Sequence, residues 1–377
     1  MWRMVIVLVL MGLCVHTALA LPGSGTQQDP YRIQSLADFD EFAAYPNYWA
    51  GFTRLETDVN LAGRTYTTAV IAPDTDSSTS WFQGTPFTGV FDGNDHKIVN
   101  LTINGGAVND FLGLFGYIDD GEVKNLGIEV GSVSGTGLYV GGLVGLNYGS
   151  LSNCYSTGDV NSLEYVGGLV GLNDGGYVSN CSSTCDVSGI SRVGGLVGAN
   201  NGSVLNCYST GNVSGVAEVG GLLGYNNGSI LNCYSIVSVI GTEDVGGLVG
   251  WNDGTISNCY STGDVNGGGN VGGLIGQNDE GSISNCFWDK DTQTHGVTES
   301  IGENYGTVTN VSGLTNAQMQ TRSTFTDAGW DFVEIWLINN GATYPVLRQE
   351  IRSDLNGDDG VDMLDFAIFA DHWLEEK

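Results

Sequence analysis

Between Val140 and Cys286 short apolar runs alternate with glycine and asparagine at fixed intervals. The runs are rich in Val, Ile and Leu and end at N-Y-G, N-D-G or N-N-G turns, so they read as strands joined by tight corners. No segment there carries the 3.6-residue apolar period of a helix. The phrase V-G-G-L-(apolar)-G-x-N, followed by (I/V/L)-x-N-C, recurs with lead residues Val140, Val166, Val193, Val219, Val245 and Val271. A fixed period of this length is the mark of repeated supersecondary units stacked on one another. One Gly-rich copy buries too little to fold alone, so each depends on the core and hydrogen bonds shared with its neighbours. The fold class expected is all-β, a parallel β-helix (β-solenoid).

If successive coils pair in register, equivalent positions form columns with a step of about 4.8 Å. One column is Cys154, Cys181, Cys207, Cys233, Cys259 and Cys286, each preceded by asparagine at Asn153, Asn180, Asn206, Asn232, Asn258 and Asn285. A second asparagine column is Asn147, Asn173, Asn200, Asn226, Asn252 and Asn278. Asparagine tolerates left-handed backbone, and its amide both donates and accepts, so the two columns mark two corners with hydrogen-bonded ladders. Two degenerate coils precede the regular ones, carrying Asn100-Leu101 and Asn125-Leu126 where Asn-Cys comes later. Leucine there makes the cysteine column a buried apolar one. The expectation is a ladder from Asn100 to Asn285 and about eight coils.

The rest of the chain divides around this rod. Residues 1–20 have a short basic start, an apolar stretch and Ala18-Leu19-Ala20, the pattern of a signal peptide cleaved before Leu21. Residues 21–86 are expected to form an N-terminal cap in which Ser35 and Asp38 open a short helix. Residues 87–289 are the solenoid, and the Trp-rich stretch 290–350 is a C-terminal cap folded over the last coil. In residues 351–377, Asp354, Asn356, Asp358, Asp362 and Asp365 fall at loop positions 1, 3, 5, 9 and 12, the spacing of an EF-hand-type calcium loop. An amphipathic helix from Phe366 to Leu374 is expected to follow it. Calcium is therefore the one expected cofactor.

Charge narrows the partners. Twelve Lys and Arg against 42 Asp and Glu leave a net charge of −30, which repels nucleic acid and anionic lipid. Beyond the signal no run is long and apolar enough to insert in a membrane. The cysteines do not cluster with histidine as a zinc site requires, and a reduced buried column is expected. Cys185, which replaces the glycine of S-T-G-D, is the odd thiol, at a position that allows exposure. Asp159, Asp186 and Asp264 share a corner column, and a polysaccharide hydrolase needs two carboxylates held facing each other. A lyase would need basic groups, and between Lys124 and Lys290 only Arg192 is basic. Turn formation is the simpler account of the three aspartates. The column Tyr155, Tyr208, Tyr234, Tyr260 and Phe287 faces away from the cysteines and suits either stacking on sugar rings or covering the sheet.

The V-G-G-L-(V/L/I)-G and N-C-Y-S-T-G phrases, over about Phe87 to Trp288, resemble the GLUG-motif repeats of secreted and surface bacterial proteins, including adhesin-like ones. The tail resembles half of a type I dockerin, with Asp359 at the loop's sixth position and one calcium loop where dockerins carry two. That resemblance implies a cohesin-like or surface-scaffold partner. Together these readings predict a secreted or cell-surface binding or adhesion protein without catalytic activity, with polysaccharide as a candidate ligand. A polysaccharide-active enzyme, a glycoside hydrolase or lyase on the same rod, is the alternative.

Overall fold

A computed structural model describes residues 20–79, 81–106 and 109–348. The expected signal peptide, and Asp354, Asn356, Asp358, Asp362 and Asp365 of the expected calcium loop, lie outside the described residues. Within them the chain is a right-through winding of parallel strands, joined by one small antiparallel pair, Trp336–Leu337 with Val346–Leu347.

One coil illustrates the rest. Glu164–Gly167 runs into a sharp bend, Val170–Asn173 returns along it, and a corner at Asp174 leads to Tyr177–Ser179. Asn180 turns the chain with φ 54°, and Ser182–Ser183 and Asp186–Ser188 bring it back under the next copy. Pairing is in register, with Val166 beside Val140 and Val193, and Val170 beside Val144 and Val197. The glycines of the motif are steric requirements. A Cβ on Gly167 would lie 2.0 Å from the carbonyl oxygen of Val170, and one on Gly171 would lie 2.5 Å from the carbonyl carbon of Tyr139. The two strands either side of the bend therefore touch backbone to backbone, which no larger residue permits.

The winding has about 11 turns rather than eight. It begins before the repeat, at Tyr31–Ile33 and Phe52–Leu55, and ends after it, at Thr307–Leu314. The two first rungs carry core residues such as Ile33 and Leu55 but lack the Gly and Asn signature, and a long excursion separates Leu55 from Val90, so no period betrays them; the last keeps a remnant of it in Asn304 and Asn310. Helix Leu36–Ala44, capped by Ser35 and Asp38 as its sequence predicts, seats Phe39 and Phe42 in the core at this first end.

Both asparagine ladders form, with opposite polarity. In the inner one each Nδ2 donates to Oδ1 of the following coil, from Asn147 to Asn173 at 2.7 Å through to Asn278 to Asn304 at 2.6 Å. These amides are fully buried from Asn147 to Asn278. In the corner ladder the donor lies on the later coil, as in Asn153 to Asn125 at 3.0 Å and Asn310 to Asn285 at 2.9 Å. Its members hold φ near +52°, the left-handed conformation expected of a corner asparagine. Its limits differ from the expected ones. Asn100 sits at a register shift and bonds Asn60, so the ladder starts at Asn125 and closes on Asn310.

The cysteine column is interior, running from Leu126 through the six thiols to Val311. Its sulfurs are used: the amides of Cys154, Cys181, Cys207 and Cys233 each donate to the next Sγ at 3.4 Å. Cys185 is also fully buried, against the exposure its turn position allowed; its Sγ turns inward, 3.4 Å from the carbonyl oxygen of Gly168. All seven described cysteines are free. Burial pushes the thiols of Cys154, Cys181, Cys207 and Cys259 well above their ordinary pKa, so they are protonated and unreactive.

Candidate functional site

The aromatic column that follows the cysteines is not a free surface. Tyr208, Tyr234 and Tyr260 stack with ring centroids 5.1 and 4.9 Å apart, and the C-terminal segment packs on them. Trp336, fully buried, lies against Tyr234 and Tyr260; the Trp330 indole donates to the Asn285 carbonyl; and Tyr260 donates to Pro345. The segment expected to close the last coil thus lies along the flank, because the stacked rings offer it a larger apolar face. The terminal rung is left with Thr307, Val308, Thr309 and Asn310 exposed.

A different outer face carries the side chains that can meet a ligand. Two columns border the backbone-to-backbone bend. The first, one residue before the paired valines, is Tyr139, Tyr165, Arg192, Glu218, Asp244 and Asn270. The second, between Gly and Asn of V-G-x-N, is Tyr117, Leu146, Leu172, Ala199, Tyr225, Trp251, Gln277 and Glu303. The eight strands of this sheet, separated by strand spacings of about 4.8 Å, extend over about 34 Å. None of these side chains is fully exposed, yet nearly all reach solvent.

Contacts join them in two groups, one around Arg192 and one around Asn270. Arg192 donates to Glu218 at 2.8 Å and to the Tyr165 hydroxyl, and its guanidinium lies 4.7 Å from the Tyr165 ring centroid and 5.4 Å from that of Tyr225. The Tyr139 and Tyr165 rings lie 4.8 Å apart, tilted by 36°. Asp253 accepts from Tyr225 at 2.7 Å and from the Trp251 indole at 2.8 Å. Asn270 bridges Asp244, Gln277 and Glu303. Burial raises the pKa of Glu218, with Arg192 opposing it, and burial likewise raises Asp244. Chemically the stripe offers ring faces beside fixed acceptors, the combination that grips an amphipathic, hydroxyl-rich chain.

The backbone adds an independent sign. Tyr139, Tyr165, Arg192, Glu218 and Asp244 all hold φ between 52° and 61°. A left-handed residue other than Gly or Asn costs about 1–2 kcal/mol. At the other corner the chain uses asparagine at every coil from Asn125 to Asn310. Here it keeps large and charged side chains at the backbone's expense, which marks the side chains as what the position is for. The sequence signal was present but inverted: these are the positions that vary while their surroundings repeat.

The expected aspartate column does structural work. Asp159 pairs with Asp186 across adjacent strands, Asp186 accepts from the amide and side chain of Asn212 at 2.9 Å, and Asp264 binds Thr294 and His295. Among the described residues no group of three or more His, Cys, Asp or Glu is placed to hold a metal ion. Nor, among them, is any helix long and apolar enough to cross a membrane.

The family described as the GLUG motif matches this chain at residues 136–161, 162–188, 189–214 and 241–266, so the resemblance read from the repeat holds over those four copies. Halomucin of Haloquadratum walsbyi is 36% identical over 121 residues, 30% of this chain and 1% of that protein. A protein of Evansella cellulosilytica named as a Gly-rich membrane protein is 32% identical over 138 residues, 35% of this chain and 15% of its own length. The chain thus spans a small part of either relative. No solved structure matches it significantly.

Proposed function

We propose that this chain is a non-enzymatic, secreted or cell-surface binding protein of the adhesin kind, whose outer stripe takes a polysaccharide strand laid along the rod. The observation that carries this reading is the outer stripe from Tyr117 to Glu303, whose first column keeps Tyr139, Tyr165, Arg192, Glu218 and Asp244 on left-handed backbone where asparagine would fit at lower cost. Aromatic faces spaced by one strand step stack on sugar rings, and Asp253, Glu218 and Asp244 accept hydroxyl hydrogen bonds between them. The relatives named as halomucin and as a membrane protein support a surface setting.

The tail completes the proposal. Asp354, Asn356, Asp358, Asp362 and Asp365 would hold one calcium ion, ordering a dockerin-like module that ties the rod to a cohesin-like or surface-scaffold partner. Titration calorimetry of the whole chain should show one calcium site that Asp354→Ala removes.

A glycan array tests the stripe. Binding without release of reducing ends or unsaturated product is expected, and Tyr225→Ala with Trp251→Ala should lower it at least tenfold. Product release from any polysaccharide on the array would transfer the protein to the enzymes, and undiminished binding by the double variant would remove the stripe from the interface.

A further inference from the structure

A cavity of about 350 Å3 opens in the C-terminal flank, beside the antiparallel pair and away from the outer stripe. Arg322 and Arg348 stand at it, Phe332, Leu337 and Ile338 supply apolar wall, and Trp336 lines it. The two arginines break the pattern of the molecule. Every other described arginine, at positions 32, 54, 64 and 192, is paired with a carboxylate. Among the described residues Arg322 and Arg348 have no such partner, in a chain with 42 acidic side chains. Arg322 lies 5.2 Å from the Phe332 ring centroid, and Arg348 donates to the Phe332 carbonyl at 3.2 Å. The nearby Asp331 carboxylate accepts from the amides of Val333 and Glu334 at 2.7 and 3.0 Å; the Arg348 charge acts on it at a distance, but the two form no ion pair.

A second, independent observation points the same way. The Trp336 indole nitrogen is buried without a hydrogen-bond partner. Buried donors are nearly always satisfied, and one left over in a native fold calls for an explanation. Two guanidiniums without an ion-paired carboxylate thus stand at a single cavity with apolar walls, lined by a tryptophan whose buried N–H is unused.

We propose that this cavity binds a small organic carboxylate with a flat apolar body, of the aryl- or arylalkyl-carboxylate class. A guanidinium meets a carboxylate through two parallel hydrogen bonds, which a neutral group cannot reproduce. The volume lies at the small end of the range for small-molecule sites and excludes a polymer. Since the rest of the surface repels anions, the two arginines both attract the ligand and select it. The proposal is independent of the polysaccharide stripe.

Calorimetry on the full chain with indole-3-acetate, benzoate, the uncharged indole-3-acetamide and inorganic phosphate tests it. Indole-3-acetate is expected to bind and to change Trp fluorescence, with the amide and phosphate at least tenfold weaker. Arg322→Gln and Arg348→Gln should each weaken the acid at least tenfold while the thermal midpoint stays unchanged. No binding of either carboxylate, equal binding of acid and amide, or equal binding of phosphate would each overturn the proposal. The comparison of acid with amide needs no variant, so it stands whatever the substitutions do to folding.

Discussion

Asn226 shows what a single position contributes. It donates to Asn252 and to the Gly228 carbonyl, and it accepts from Asn200 and from the Gly228 amide, all in a fully buried setting. Alanine there leaves buried groups on both neighbouring coils without partners, at about 1–3 kcal/mol each. Urea unfolding of Asn226→Ala should therefore show a loss of about 2–5 kcal/mol, and the same change at exposed Asn227 a loss below about 0.5 kcal/mol. This ladder was legible in the sequence because it repeats, as were the buried thiols. Asn100 was misread for the same reason: its Asn-Leu pair copies the letters of Asn125-Leu126, but a register shift moves it off the corner. Tyr139, Tyr165, Arg192 and Trp251, the proposed binding stripe, could not be found by repetition at all, since they are what changes from coil to coil. Cys185 shows a further limit, because the direction in which a turn side chain points depends on the coil beneath it.

At the scale of elements, the flank segment and the rod are joined by aromatic contacts rather than by shared strands. Trp336 contacts Trp330, Tyr234 and Tyr260, and its truncation removes the centre of that cluster. Trp336→Ala should cost about 3–5 kcal/mol of docking. The expected result is local: hydrogen exchange and proteolysis rise across residues 315–348, while amides of the ladder coils keep their protection. The side on which this segment lies was beyond the sequence. A Trp-rich stretch suits any apolar surface, and only the stacked rings of Tyr208, Tyr234 and Tyr260 decide between the rod's end and its flank.

The whole molecule behaves as a one-dimensional stack. Deleting residues 193–218 joins Arg192 to Val219 and preserves every column, so the shortened chain should fold with a thermal midpoint lower by no more than about 5 °C. Deleting 193–205 alone puts corners where strands belong and should abolish the β circular dichroism signal. Acid acts on the molecule as a whole. Burial holds the carboxyls of Asp110, Glu218, Asp244 and Asp289 above their ordinary values. A carboxyl raised on folding contributes stability that is full below its unfolded pKa and is lost as pH rises through the folded one. Relief of the net charge of −30 has the same sign. The thermal midpoint should thus climb as pH falls from 8 toward 5, and added salt should raise it at neutral pH. It should turn over below about pH 4, where Asp58, Asp76 and Asp331, held low by hydrogen bonds from Lys97, Ser78 and Glu334, take up protons. A midpoint falling steadily from pH 8 to 5 would contradict this balance.

Seven reduced sulfurs locked inside the winding also set how the molecule ages outside a reducing compartment. An intact rod denies oxidants any access, but a momentary gap between turns bares neighbouring thiols together, and a bridge formed then keeps the turns from closing again. Each such event is a ratchet tooth, so working lifetime follows the frequency of opening rather than the depth of the native well. In aerated buffer the disappearance of titratable thiol should keep pace with the unfolding rate, and a mild reductant should lengthen the lifetime without moving the equilibrium midpoint.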